Sequence, residues 1–128
     1  MMHCVIETHA FKSGAKDAEL DEEEVFKIMQ YLSENPDAGE LIVGTGGARK
    51  IRFPDRRRGK GKSGGYRVVT YYAAEDIPVF LLDVFSKGDK INLSKAEREA
   101  LRKELEGLAD DYRESVRLKV TSLKEKAS

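Results

Sequence analysis

GTGGARKIRFPDRRRGKGKSGGYRVVTYY, residues 44–72, is the stretch on which the reading of this chain turns. Gly44, Gly46 and Gly47 signal a turn. Two runs of strand character follow, ARKIRF (Ala48–Phe53) and GYRVVTYY (Gly65–Tyr72), on either side of a glycine-punctuated loop. Such an arrangement predicts two antiparallel strands. From Arg49 to Arg67 the basic residues are Arg49, Lys50, Arg52, Arg56, Arg57, Arg58, Lys60, Lys62 and Arg67, against one acid, Asp55. In a chain of formal net charge +0, that density of cations repels itself unless a polyanion or acidic partner meets it, and nucleic acid is the commonest polyanion. The plainer alternative is a solvated hairpin loop.

The balancing acids stand in the first third: Asp17, Glu19, Asp21, Glu22, Glu23, Glu24, Glu34, Asp37 and Glu40, with only Lys16 and Lys27 among them. The neutral total therefore hides a dipolar molecule. A chain of 128 residues suits one modest domain that needs no staples. The single cysteine, Cys4, lies in a short apolar run and reads as a buried strand residue. No run approaches a membrane span and no signal-type apolar core opens the chain, so a cytoplasmic protein without a membrane role is expected.

Outward from the hairpin, His3–Thr8 reads as a first strand. A weak helix near Ala10–Ala18 is interrupted by Gly14. A stronger one runs from Glu22 to Glu34, with Asp21 as N-cap, Glu24 three residues on and an apolar stripe of Val25, Ile28, Met29 and Leu32. Its first-turn acids suit the positive end of the helix dipole. Pro78–Phe85 is almost continuously apolar and predicts a central strand buried on both faces. Ser94 and Glu97 open a long C-terminal helix whose apolar positions are Leu101, Leu105, Leu108, Tyr112, Val116, Val120 and Leu123, with a bend marked by Gly107. The order β-α-α-β-β-β-α predicts a small α+β domain with a largely antiparallel sheet, N-terminal helices and a long C-terminal helix.

Familiar phosphate motifs fail. Gly61-Lys62-Ser63 lacks the glycine a P-loop needs five residues before Gly61, where Arg56 stands, and leads into a strand. Gly44-Thr45-Gly46 likewise precedes no helix. His3, His9 and Cys4 have no metal-ligand spacing, so neither metal nor cofactor is expected. Strand alternation gives a better candidate. Ile51 and Phe53 turn to the core and leave Lys50 and Arg52 together on the other face. Arg67 on the next strand can join them, and Lys87, just past the buried strand, can reach the same rim. Four cations around one sheet face suit a phosphodiester, and a lysine crowded by like charges releases its proton more readily.

These residues resemble the RelE/ParE superfamily of bacterial toxins, and within it the HigB-type RelE-like toxins. The resemblance rests on GTGGARKIRF, GKGKSGGYRVVTYY and LLDVFSKGDKINLSKAEREAL, and covers roughly His3 to Leu108. It implies a toxin domain over residues 1–108 with a helical extension over 109–128. It implies a ribosome-dependent mRNA endonuclease, working without metal and neutralised by a cognate antitoxin, expected to be a helix-turn-helix protein. By position it places Lys50 as base, Arg52 and Arg67 as phosphate stabilisers, and Lys87 as acid or further stabiliser where the family usually has arginine. Arg49, Arg56, Arg57, Arg58, Lys60, Lys62 and Tyr66 would contact RNA. The family's base-stacking tyrosine falls on Leu93, so Tyr66, Tyr71 or Tyr72 would have to replace it. The apolar stripe beyond Leu108 calls for a cover, from the antitoxin, a second copy in a homo-oligomer or the chain's own body, with an intermolecular contact expected. Alternatives are a ParE-like gyrase inhibitor without enzymatic activity, against which the basic cluster argues, and an inactive nucleic-acid-binding relative.

Overall fold

The computed structural model describes residues 3–54, 65–86 and 93–127. Strand β1 (Val5–Glu7) is followed by helices α1 (His9–Asp17) and α2 (Glu22–Glu34). Strands β2 (Glu40–Leu41), β3 (Ala48–Phe53), β4 (Tyr66–Tyr71) and β5 (Val79–Ser86) come next, then helices α3 (Lys95–Leu105) and α4 (Leu108–Ala127). The α+β class is as expected, with helices at both ends of the chain. The sheet order is β1-β5-β4-β3-β2. Neighbours pair antiparallel except β1, which runs parallel to β5, so the sheet is mixed. A parallel pair needs a long crossover, and the whole stretch between β1 and β5 supplies it. Thr8 pins the junction: its backbone N–H and its hydroxyl both donate to the Leu81 carbonyl, at 3.1 and 2.7 Å, while the same hydroxyl caps α1 by accepting from Phe11 N.

Gly14 does not interrupt α1. A Cβ there would stand 2.4 Å from the Val84 carbonyl oxygen and 2.9 Å from Asp83 Oδ1, so the glycine lets α1 lie directly on β5. Cys4 is exposed, not buried, because it precedes the edge strand β1. Asp21 caps α2 through Glu24 N at 2.8 Å. Glu24 does not complete the box: its carboxylate instead accepts the Tyr66 hydroxyl at 2.7 Å. Ser94 and Glu97 do form both halves of their box at the start of α3.

Each sheet face has its own core. On one face Phe11, Ile28 and Leu32 from α1 and α2 meet Tyr66, Val68, Val79, Leu81 and Val84, with Ile51 and Phe53 packed alongside. On the other, Leu93 and Leu105 meet Ala48, Val69, Ile77, Phe80, Leu82 and Phe85. Val69 pairs with Asp83 and Thr70 with Leu81, so Leu82 is the extra residue of a bulge. The phase change lets Leu82 and Phe85, an odd number of residues apart, both reach the second core. β5 is buried on both faces, as its composition requires.

The C-terminal helix bends where Gly107 takes φ +78°. α4 then packs its start on the body: Tyr112 meets Phe80 edge-on, and Arg113 bonds Asp76 through two nitrogens at 2.7 and 2.9 Å. From Arg113 to Ala127 every residue is exposed, including Val116, Val120 and Leu123. Among the described residues no helix is long and apolar enough to cross a membrane.

Candidate active site

The turn before β3 fixes where its side chains go. Thr45 is fully buried, its hydroxyl donating to the Ile42 carbonyl at 2.7 Å and accepting from Ala48 N at 3.0 Å. Gly47, at φ +129°, lies so close to the Tyr71 ring that a Cβ would be 3.1 Å from it. From that anchor the alternation runs as the sequence requires. Ala48 joins the second core, Ile51 and Phe53 pack on the first, and Lys50 and Arg52 fall on the face of the second. That face is not open along its length, since α3 and α4 cover most of it. Among the described residues, neither α3 nor α4 supplies a core side chain beside Arg52 or Arg67.

The β3–β4 register places Arg52 directly opposite Arg67, and Arg67 in turn opposite Phe85. Like charges facing across a strand pair destabilise it. A cleft of about 290 Å³ opens there, lined by Gly39, Glu40, Lys50, Ile51, Arg52 and Arg67. Arg52 is exposed and Arg67 half-buried. The Arg67 Nη1 is buried and has no hydrogen-bond partner among the described residues. A desolvated guanidinium N–H without an acceptor is costly, and the buried Thr70 hydroxyl likewise has no partner among the described residues.

Lys50, Arg52 and Arg67 are therefore brought together. Arg49 is not: it leaves on the opposite face and donates to the Gly39 carbonyl at 3.1 Å. Tyr66 is only 3% exposed, stacked on Phe53 in the first core. In that position neither ring face is exposed among the described residues. Tyr71 packs on the second core and Tyr72 beside the first, edge-on to His3. Leu93, at the family's tyrosine position, is buried in the second core. Lys87, Arg56, Arg57, Arg58, Lys60 and Lys62 lie outside the described residues.

Two residues near this end were not expected from the sequence. Glu40 arrives on β2, opposite Lys50. Arg98 arrives from the first turn of α3 and lines an adjoining cleft with Lys50. A two-residue strand shows no periodicity, and the approach of α3 to β2 is a tertiary fact, so neither had a local signal.

The sequence matches the family described as the RelE toxin of the RelE/RelB toxin–antitoxin system over residues 3–127, beyond the Leu108 limit suggested by its motifs. In structure it is similar to the E. coli toxin RelE, solved as a double mutant in the free state. The TM-score is 0.52 at 22% sequence identity, over 82% of this chain and 100% of that one. The fold is thus RelE-like, and with a family match across nearly its whole length the chain belongs to the RelE toxin family.

Proposed function

We propose that this chain is a HigB-like, ribosome-dependent endoribonuclease that cleaves translated mRNA. RelE-family toxins are in general nucleases of this kind, and the family implies a cognate RelB-type antitoxin. The observation that supports the reading for this chain is the cleft in which Lys50, Arg52 and Arg67 converge.

In this reading an RNA phosphate enters the cleft and Arg67 and Arg52 bind its non-bridging oxygens. Lys50, in its neutral form, takes the proton of the ribose 2′-hydroxyl. The 2′-oxygen attacks phosphorus, and the two arginines stabilise the charge that grows on the phosphorane. The bond from phosphorus to the 5′-oxygen breaks, leaving a 2′,3′-cyclic phosphate. Lys87 protonates the departing oxygen, and no step needs a metal. Arg56, Arg57, Arg58, Lys60 and Lys62 hold RNA backbone by charge, without reading bases. A helix-turn-helix antitoxin is the partner that fits this reading.

Primer extension on cellular mRNA after induction provides the test. The wild-type chain should produce discrete cuts in translated messages, and Arg67→Ala should lower cleavage about 10²–10³-fold, the usual loss for one charge-stabilising donor. Its circular dichroism should be unchanged. Full cleavage by Arg67→Ala would overturn the site. Growth arrest with intact mRNA and gyrase-dependent DNA breaks would replace the nuclease with a ParE-like inhibitor.

A further inference from the structure

An exposed apolar stripe and an open apolar groove lie on this chain with opposite charges around them. The stripe is on α4, where every residue from Arg113 to Ala127 is exposed. Val116, Val120, Leu123 and Ala127 recur there at spacings of four, three and four, the seam of a helix that packs on another element. Leu123 is 65% exposed, and a contiguous apolar stripe of this kind marks an interaction surface. Both columns beside the seam are basic: Arg117 and Lys124 on one side, Lys119 and Lys126 on the other. Arg117 is paired with Glu114, while the three lysines make no ion pair among the described residues.

The groove, about 330 Å³, lies along the start of α2. Leu20, Val25, Phe26 and Met29 give it an apolar floor, and Glu7, Asp21 and Glu22 an acidic rim. Phe26 is 61% exposed, and Glu7 and Glu22 have no ion pair among the described residues.

The charges beside the seam narrow what can cover it. Two copies of α4 laid parallel would set Lys119 against Lys124, and laid antiparallel would set each basic column against itself. Flanking charges of like sign oppose such a pairing. A surface that fits the stripe is apolar and acidic, and α2 carries one in the same sequence. A chain cannot fill its own groove with its own tail. α4 leaves the body from the second core, where Tyr112 meets Phe80, while α2 packs on the first core across the sheet. The lengths also agree, since the exposed part of α4 spans about 22 Å and α2 about 20 Å at the ordinary helical rise.

We propose that this chain associates with a second copy of itself, the α4 stripe of one copy seated in the α2 groove of the other. Val116, Val120 and Leu123 cover Phe26 and the groove floor, and the basic columns face Glu7, Asp21 and Glu22. Reciprocal seating fills both grooves of a pair and closes the assembly at two copies. The contact joins bodies that are already folded, and it depends on no catalytic step.

Sedimentation velocity on the full chain provides the test. The wild-type chain should form a concentration-dependent dimer that weakens as salt rises, because the flanking charges are exposed. Leu123→Asp and Phe26→Ala, both at exposed positions, should each raise the dissociation constant about tenfold or more and leave the circular dichroism unchanged. Lys119→Glu/Lys124→Glu should be monomeric alone, and so should Glu7→Lys/Glu22→Lys, since each sets like charges across the contact. Mixed in equal amounts, the two should form heterodimers: the reversed tail fits the reversed groove, and the native tail fits the native groove. A wild-type chain that stays monomeric at low salt and high concentration would overturn the proposal and leave the stripe to another partner or to water. A mixture that stays monomeric would also overturn it, as would a dimer lost in Leu123→Asp but unchanged in Phe26→Ala and Glu7→Lys/Glu22→Lys.

Discussion

On β3 the side chains of Ile51 and Phe53 go one way and those of Lys50 and Arg52 the other, and the two sheet faces they enter obey different rules. The first face is closed. Phe11, Ile28 and Leu32 are fully buried against it and the Tyr66 hydroxyl is paired with Glu24, although the buried Thr70 hydroxyl has no partner among the described residues. The second face is closed only beneath α3 and α4. At the end carrying the cations it sets Arg52 against Arg67 and leaves Arg67 Nη1 without a described partner. One face is arranged for stability; the end of the other sacrifices some of it. The like charges that β3 and β4 set against each other are therefore candidates for chemistry.

The largest effect on stability should come from the closed face. Gly14→Ala places a methyl 2.4 Å from the Val84 carbonyl oxygen, a backbone atom that cannot rotate away. Either α1 lifts from β5 or the strand bends. Overpacking of this sort costs about 1–3 kcal/mol, readable as a lower denaturant midpoint. Arg52→Ala should do the reverse: cleavage falls while the midpoint holds or rises, because a facing like charge is gone. A midpoint loss in Arg52→Ala comparable to that of Gly14→Ala would erase the distinction between the faces.

Tyr66→Phe is the intermediate case. It removes the hydroxyl bond to Glu24 and keeps the ring on Phe53, so stability should fall by about 0.5–1.5 kcal/mol. Ribosome-dependent cleavage should stay at the wild-type rate, since the ring belongs to the closed face. A selective loss of cleavage at unchanged stability would return Tyr66 to the RNA contacts.

What was legible in the sequence follows the same division. Alternation separated Lys50 and Arg52 from Ile51 and Phe53, and continuous apolarity marked β5 as buried. Those signals are local. Gly14 was read as a break because its function is a contact with a strand some seventy residues away. The parallel pairing of β1, the diversion of Glu24 to Tyr66 and the approach of Arg98 to Lys50 also depend on elements distant in sequence. At Gly107 the local signal sufficed, since a positive φ needs nothing beyond the residue itself.

The smallest effects belong to α4, where the body ends along a single helix. Its stripe reads continuously from Leu108 to Leu123, yet the structure covers only the part through Tyr112. The last tie is Arg113 to Asp76, an exposed pair. The Arg113 hydrogen bond holds the Asp76 carboxyl below its ordinary range, and the adjacent positive charge adds to this. A lowered carboxylate pKa means the tie is present above the ordinary carboxylate range and is lost as pH falls through the lowered value. Acidification should therefore lower the protection factors for hydrogen exchange in the first turns of α4 before those of β4 or β5, and Arg113→Ala should show that lower protection already at neutral pH. Removing residues 115–128 should barely move the midpoint, because the described residues there are all exposed. A cut after Ala109 takes Tyr112 from Phe80 and Arg113 from Asp76 and should destabilise more. Equal midpoints for the two truncations would place the edge of the body back near Leu108; a large loss from the shorter deletion would mean that Val116, Val120 and Leu123 support the fold after all.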